Sequence, residues 1–343
     1  AEPLENERGR TTMSEKKRIL TGDRTTGKLH LGHYVGSLQN RVRLQDEYES
    51  FILLADIQAL TTHFEHPELL EHSIYEVAMD NLSVGLDPNK ITLVQQSRIP
   101  SIGELTVFYS MLVSVNSLRH NPTIKTEAAN YGYNDMTYGF LGYPVSQSAD
   151  ITFCKANLVP VGEDQKPHME MTRKIVRRFN ELYGETLVEP DMMLSDCPRL
   201  MGLDGNAKMG KSLGNAIYLS DPAEEVRKKV MSAVTDASRI KKDDPGHPDV
   251  CVVSKYHKVF NAGEYENICE SCKKGAIGCV ACKKALAASL NDLLEPFREK
   301  RAYYEAHRDE VRDIILTGSE KANKIGNETV KEVKEAMHIY IGD

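Results

Sequence analysis

Three short apolar runs mark the first hundred residues of the chain. They occupy residues 18–22, 51–55 and 91–95, and each one ends at or beside a glycine or a polar residue, as buried strands do. Stretches with helical periodicity separate the runs, and one of these stretches starts at His30. Strands that alternate with helices predict a parallel α/β sheet.

The pattern changes in the last third of the chain. Residues 164–183 still read as a single helix with a charged outer face beside the sheet. From about residue 223, long stretches of charged residues, alanine and leucine dominate, including residues 285–304 and 320–339. We predict a second domain that is built of helices.

Composition and charge limit the class of protein. The chain has 343 residues and a formal net charge of −7, and it lacks an apolar run of the roughly eighteen residues that a membrane span needs. Residues 1–12 lack the apolar stretch of a secretory signal, so we expect a cytoplasmic protein whose seven cysteines are thiols or metal ligands. The negative charge argues against a generally basic nucleic-acid binder but is compatible with local basic patches.

Two short motifs could bind phosphate. His30 and His33 stand in H-L-G-H, where a strand, a glycine-containing loop and a helix start meet, and backbone N–H groups favour anions at such a place. Lys208 and Lys211 stand in residues 202–215, a loop rich in glycine and asparagine that could follow a pyrophosphate through a reaction. Taken alone, the first motif is better explained as a solvated helix cap and the second as a basic turn.

Together, the two motifs closely resemble the two signatures of the class I aminoacyl-tRNA synthetases. Five ordered segments resemble the bacterial-type tryptophanyl enzymes of that class: T-G-D-R-T-T-G-K-L-H-L-G-H-Y-V-G, A-D-I-Q-A-L-T, Y-P-V-S-Q-S-A-D-I, V-P-V-G-E-D-Q-K-P-H and G-L-D-G-N-A-K-M-G-K-S-L-G-N-A-I. The resemblance extends from Arg18 to about Arg301. It implies a doubly wound, Rossmann-like α/β catalytic domain, and a tryptophan–tRNA ligase that activates L-tryptophan with ATP and transfers it to tRNA(Trp).

The resemblance also implies roles for individual residues. In such enzymes the amino-acid carboxylate attacks the α-phosphorus of ATP, so positioning and charge stabilisation supply the rate. The expected catalytic residues are Lys208, Lys211, His30 and His33, with Mg²⁺ sharing the charge of the leaving pyrophosphate. The expected ATP-binding residues are Gly22, His30, Gly32, His33, Gly162, Asp164, Lys208, Met209, Lys211 and Ser212.

A tryptophan pocket is expected around Asp150, Gln147 and Gln165. Indole is only a donor, so an acceptor such as Asp150 is its required partner, and Gln147 would share the same helix face. Gln147 and Asp150 would also suit a phenol, which makes tyrosine the competing substrate. The sequence departs from the tryptophanyl pattern at Gly210, where serine is usual, and at Gln147, where methionine is frequent.

Five cysteines lie close together in the second domain. Cys269, Cys272, Cys279 and Cys282 form C-x2-C-x6-C-x2-C, and Cys251 precedes them. Two C-x2-C pairs indicate a metal, and four thiolates suit a tetrahedral zinc. Some tryptophanyl enzymes, however, carry a 4Fe-4S cluster on a pattern that Cys251, Cys272, Cys279 and Cys282 resemble. We expect the cluster on this set, with zinc, or Cys269 in place of Cys251, as alternatives.

The implied organisation has an N-terminal extension at residues 1–12 and a catalytic domain at 13–217. A tRNA anticodon-binding domain with the cysteine site follows at 218–325, and a helix at 326–343 packs back on the catalytic domain. The resemblance further implies a homodimer. The remaining alternatives are a tyrosine–tRNA ligase and a tryptophan-binding regulatory paralogue with weakened catalysis. A nucleotidyltransferase would require neither the lysine loop nor the helical domain.

Overall fold

A five-stranded parallel sheet forms the centre of the computed structural model, which describes residues 16–194, 200–205 and 209–342. The strands are β1 (Arg18–Arg24), β2 (Glu49–Ala55), β3 (Ile91–Gln95), β4 (Leu158–Val161) and β5 (Asp191–Leu194). They lie in the order β3-β2-β1-β4-β5, and each neighbouring pair is parallel. The order reverses between β1 and β4, which is the doubly wound arrangement. The predicted fold class is confirmed.

Helices cover both faces of the sheet and continue beyond it. Those interleaved with the strands are α1 (Leu31–His33), α2 (Gln39–Leu44), α3 (Asp56–His63), α4 (Glu68–Ser83), α5 (Pro100–Ser110), α6 (Val115–Arg119), α7 (Pro122–Tyr131), α8 (Tyr138–Thr152) and α9 (Lys166–Tyr183). Those that follow the sheet are α10 (Ala223–Ser232), α11 (Val252–Phe260), α12 (Tyr265–Lys273), α13 (Cys279–Ala306) and α14 (Arg308–Ala336). None of the helices in the described ranges is long and apolar enough to cross a lipid bilayer.

The apolar runs become strands because both faces of the sheet are covered. In β2, Ile52 and Leu54 point into a core shared with α4, α10, α11 and α13, whereas Phe51 and Leu53 point into a core shared with α5, α8 and α9. The strands predicted at residues 18–22, 51–55 and 91–95 are present in β1, β2 and β3. The sequence does not predict β5, because its four residues are at best partly buried and only pairing with β4 defines it.

The C-terminal helices are longer than the sequence indicates. The helix predicted at residues 285–304 lies within α13, and the one predicted at 320–339 is the second half of α14, which ends at Ala336. The first half of α14 packs in one core through Val311, and the second half packs in the other core through Val330. One continuous helix therefore crosses residue 325, where a boundary is predicted, and the division into domains stays a prediction.

Candidate active site

A cleft of about 690 Å³ opens at the carboxyl ends of β1 and β4, where the strand order reverses. Open α/β sheets bind ligands at this position. The predicted site residues that line the cleft are Gly22, His30, Gly32, His33, Gln147, Asp150, Gly162, Gln165 and Met209. The fold therefore brings together residues of β1, α1, α8, the turn after β4 and the lysine loop.

His30 and His33 cap the N-terminus of α1. The Nδ1 atom of His30 accepts a hydrogen bond from the Gly32 N–H at 3.1 Å, and Nδ1 of His33 accepts one from the His30 N–H at 3.2 Å. The two ring centroids are 3.9 Å apart. Because Nδ1 accepts in both rings, a neutral ring carries its hydrogen on Nε2. Capping therefore occupies one nitrogen of each ring.

Gly22 and Gly32 are both constrained by neighbouring protein atoms. A Cβ at Gly22 would lie 2.5 Å from the carbonyl oxygen of Leu53, its partner in the adjacent strand. A Cβ at Gly32 would lie 2.9 Å from Cε1 of His30. Packing against neighbouring protein atoms therefore disfavours any side chain at these two positions.

Asp150 is a buried acceptor on the wall of the cleft. Its Oδ1 accepts a hydrogen bond from Nε2 of Gln96 at 2.8 Å, and Oε1 of Gln96 in turn accepts one from the Gln58 N–H at 3.0 Å. Burial raises the pKa of Asp150 to about 7, while the hydrogen bond from Gln96 opposes this shift and the Asp56 carboxylate adds to it. Gln96 therefore orients the side chain that we predict to accept the indole N–H.

Polar residues at the carboxyl ends of the strands also belong to the site and were not predicted from the sequence. Asp23 and Arg24 end β1, Asp56 and Gln58 follow β2, and Gln96 follows β3. Asp23, Arg24 and Gln58 line the cleft. Their positions at the ends of predicted strands could have indicated them as site residues, because the carboxyl ends of parallel strands meet at one edge of the sheet.

Asp23 forms a buried ion pair with Arg41. Nη1 of Arg41 lies 2.6 Å from Oδ2 of Asp23 and also donates to Oδ1 of Asn81 at 2.8 Å. Burial by itself would raise the pKa of Asp23, but the Arg41 charge and hydrogen bonds outweigh it, with help from His33 and Asn81, and lower the pKa to about 2. Asp23 is therefore an anion at neutral pH, with its charge balanced by Arg41.

Lys211 contacts the loop that precedes His30. Its Nζ donates to the carbonyl oxygen of Gly27 at 2.7 Å. Burial lowers the pKa of Lys211 to about 8, while the carboxylates of Asp23 and Asp80 act in the opposite direction. Three other predicted positions cannot be compared with the structure, since Lys208 and the side chains of Asp164 and Ser212 lie outside the described residues.

The five clustered cysteines lie on or directly before three helices. Cys251 precedes α11, Cys269 and Cys272 lie on α12, and Cys279 and Cys282 lie on the first turn of α13. Burial raises the pKa of the Cys282 thiol to about 12, and the other four cysteines add to this shift, Cys251 the most and Cys269 the least.

The side chains of these cysteines show no metal-site geometry in the part of the chain that the structure describes. Within residues 16–194, 200–205 and 209–342, no three His, Cys, Asp or Glu side chains are arranged to hold a metal ion. Arg239 instead lies beside two of the thiols, with Nη1 at 3.7 Å from Sγ of Cys272 and 3.9 Å from Sγ of Cys279. The prediction of zinc therefore gains no support from the side-chain geometry, and neither does that of the 4Fe-4S cluster.

Comparison with known proteins identifies a family. The family model described as tRNA synthetases class I (W and Y) matches residues 12–295. A tryptophan–tRNA ligase of Streptococcus mutans serotype c is 52% identical over 332 residues, which cover 94% of this chain and 98% of that protein. The tryptophan–tRNA ligase of Streptococcus pneumoniae serotype 4 is 49% identical over 333 residues, with the same coverage of both chains.

A solved structure matches the fold over nearly the whole chain. The tryptophanyl-tRNA synthetase of Campylobacter jejuni, complexed with ADP and tryptophan, superimposes with a TM-score of 0.83 at 28% sequence identity. The match covers 94% of this chain and 99% of that one.

Proposed function

The chain belongs to the class I tRNA synthetases for tryptophan and tyrosine and is a tryptophan–tRNA ligase; from this premise we propose that the cleft at the sheet edge is where it activates tryptophan. The observation that carries this proposal is the position of Asp150. It presents a buried acceptor, held by Gln96, to the cleft that His30 and His33 also line. A donor-only ring and a nucleotide would thus lie side by side.

The activation step requires positioning rather than covalent catalysis. The tryptophan carboxylate attacks the α-phosphorus of ATP in line, the new phosphorus–oxygen bond forms, and pyrophosphate leaves. We assign the phosphates to the α1 start at His30 and His33, and the growing charge on pyrophosphate to Lys211 together with Lys208. The charge of ATP would favour the ammonium form of Lys211, whose pKa burial lowers to about 8.

Other assignments follow the resemblance. Gly162 and Met209 line the cleft, and we assign both to the nucleotide. Gly162 lies at the N-terminus of the 3₁₀ turn Glu163–Gln165. Asp164 and Ser212 are further proposed ATP contacts. Gln147 and Gln165 complete the proposed tryptophan pocket. Mg²⁺ would supply further positive charge when bound to the ATP phosphates.

Amino-acid-dependent exchange of pyrophosphate into ATP tests this function directly. We expect exchange with tryptophan. In the Asp150→Asn variant the exchange rate should fall about a hundredfold or more, because the asparagine amide has only one acceptor oxygen. If that oxygen faces Gln96, its NH2 group faces the indole N–H; if it faces the indole, the contact with Gln96 is lost. Asp46→Asn is the control, because Asp46 is paired with Lys90 outside the cleft. Exchange with tyrosine alone would contradict the substrate, and no exchange at all would favour the regulatory paralogue.

We further propose that the tryptophanyl group is transferred from the adenylate to a hydroxyl group of tRNA(Trp), with AMP as the leaving group, in the cytoplasm. The helices after residue 218 are the proposed anticodon-binding region. Lys273, Lys274 and Lys284 are exposed beside the cysteines and would contact backbone phosphates. Such contacts add affinity that falls with salt concentration but carry no sequence information themselves.

The 4Fe-4S cluster on Cys251, Cys272, Cys279 and Cys282 remains our proposal for the cysteines. Its support is the sequence alone, namely the C-x6-C-x2-C spacing of Cys272, Cys279 and Cys282 and the preceding Cys251, which resemble the pattern of the tryptophanyl enzymes that carry such a cluster. The cluster would be structural, away from the adenylate site.

Iron and sulfide analysis of anaerobically purified protein tests the cluster proposal. We expect a broad visible absorbance band that Cys251→Ser abolishes and Cys269→Ser retains, because only Cys251 belongs to the proposed ligand set. The reverse result would assign Cys269 instead. Protein that contains neither iron nor sulfide would refute the cluster.

A homodimer that pairs through the sheet domain is the last part of the proposal. A groove of about 520 Å³ lies between α3, α5 and α8, and its walls are largely apolar. Around it, large apolar side chains are exposed, among them Phe64, Val107, Met111 and Tyr138. Exposed apolar patches of this kind are typical of protein interfaces. Gln58 borders both this groove and the cleft, so pairing here would lie close to the active site.

A further inference from the structure

A buried group of charges joins α13 to α4. Arg301 of α13 is 3% exposed and donates from Nη2 to Oε2 of Glu76 at 2.7 Å and from Nη1 to Oδ1 of Asp80. Nε of the same guanidinium donates to Glu305 at 2.8 Å. Only the planar fork of arginine can satisfy acceptors in these three directions at once.

Asp80 uses its second oxygen on the backbone of the active site. The Leu29 N–H donates to Oδ2 of Asp80 at 2.7 Å, and Leu29 immediately precedes His30. Beside this contact, Nζ of Lys28 lies 3.9 Å from the Glu76 carboxylate. The charge group therefore reaches from α13 through α4 to the loop that starts α1.

The same loop is in contact with the lysine loop. Lys211 donates to the carbonyl oxygen of Gly27, two residues before Leu29, and the Asp80 carboxylate acts electrostatically on Lys211. Residues 27–30 are thus held by Asp80 from one element and by Lys211 from another. Arg301 itself does not line the cleft.

The charge group is expensive to bury. Burial raises the pKa of Asp80 to about 6, although the Arg301 charge and the Leu29 N–H both lower it. Hydrophobic side chains of similar volume would join two helices at least as well as such an ion pair does. Asp80, however, bonds the Leu29 N–H with one carboxylate oxygen and Arg301 of α13 with the other. An apolar contact could not orient the loop and the helix relative to each other in this way.

We propose that Asp80 and Arg301 are positioning residues for the ATP site, through which the placement of α13 sets the geometry of the loop at His30. The inference rests on the proposed binding of ATP beside His30 and Lys211. Asp80 fixes the loop by its hydrogen bond to the Leu29 N–H, and Arg301 keeps Asp80 in the orientation that makes this bond. Movement of α13 relative to α4 would then change ATP affinity without any contact between α13 and the nucleotide.

Arg301→Lys and Asp80→Asn test the inference, with Arg298→Lys as the matched control. Arg298 lies one turn earlier on α13 and bonds Asn291 and the Asp221 carbonyl, not the site loop. In pyrophosphate exchange, we expect KM for ATP to rise about tenfold in Arg301→Lys and in Asp80→Asn, with KM for tryptophan within about twofold of the original enzyme. Arg298→Lys should leave both constants unchanged.

Thermal unfolding with and without ATP provides the second readout. We expect ATP to raise Tm less in the two test variants than in the original enzyme, while tryptophan raises it equally in all. The inference would be overturned if KM for ATP were unchanged in both variants, or if KM rose equally for ATP and for tryptophan. It would also be overturned if neither variant folded. Each of these results would leave an ion pair with a structural role only. An inactive original enzyme would instead refute the proposed function.

Discussion

At the scale of single residues, Asp150 combines a binding requirement with a cost in stability. Its pKa is about 7 in the folded protein against 3.8 for an ordinary aspartate, chiefly because it is buried. A folded-state pKa that is raised in this way disfavours the carboxylate, so stability is lost as the pH rises from about 4 through 7. A bound indole N–H would supply the missing donor and offset part of this cost.

Replacing Gln96 by methionine should shift the pH dependence of tryptophan activation. The variant removes the hydrogen bond that lowers the pKa of Asp150. We expect the acid limb of kcat/KM for tryptophan to move up by about one pH unit, because the anion loses a donor. The measurement is the pyrophosphate-exchange rate between pH 5 and 9.

Gln45→Met is the control for this experiment. Gln45 is also a buried glutamine, but it bonds the backbone at Val42, Gly85 and Asp87 and lies away from the cleft. Its variant should keep the original pH profile even if it is less stable. The same acid limb in all three proteins would show that Gln96 does not tune Asp150.

At the scale of elements, α14 covers one of the two edges of the sheet, at β3. β3 is an edge strand, and its last N–H, at Gln95, donates to Oγ of Ser319 at 3.0 Å. The neighbouring Gly318 lets the helix backbone approach β3 so closely that a Cβ there would collide with the carbonyl oxygen of Leu93. Covering an edge in this way prevents its pairing with another chain.

Gly318→Ala should therefore destabilise the protein although alanine favours helices. We expect the free energy of unfolding to fall by about 1–3 kcal/mol, because α14 must move away from β3 to admit the methyl group. Gly103→Ala in α5 is the matched control, since a Cβ at Gly103 would meet nothing within 4 Å. Urea unfolding of both variants measures the difference, and equal stabilities would contradict the close approach.

At the scale of the whole molecule, the site depends on elements from both ends of the chain. The cleft is lined by residues from β1 and by Met209 of the lysine loop, and the loop at His30 is tied to α13 through Asp80. The groove between α3, α5 and α8 lies on the other side of Gln58 from the cleft. An interface there would join two active sites through the sheet domains.

Met111→Glu should separate the proposed dimer. Met111 is 71% exposed beside the groove, and a charge that must be buried at an interface opposes association strongly. We expect analytical ultracentrifugation to give twice the mass of one chain for the original protein and a single-chain mass for the variant. Leu182→Glu, which places the same charge at an exposed leucine on α9, should remain a dimer. A single-chain mass for the original protein would refute the homodimer.

The sequence alone determined the strands β1 to β3 and the presence, though not the full length, of the C-terminal helices, because burial makes contiguous apolar or periodic patterns. The reaction class came from the resemblance of five ordered segments to a known family, since neither nucleotide motif alone indicates it. The resemblance to the tryptophanyl enzymes was confirmed. The cysteine spacing raised the expectation of a 4Fe-4S cluster, with zinc as the alternative, and the side-chain geometry of the described residues supports neither.

Only the tertiary structure decided which polar residues share the site. Gln96 and Asp150 are 54 positions apart, and Asp80 and Arg301 are 221 apart. No local pattern pairs them, because their contact depends on the strand order β3-β2-β1-β4-β5 and on how α13 packs against α4. The protonation of Asp150, Asp23 and Lys211 likewise depends on burial and charge partners, which exist only in the folded chain.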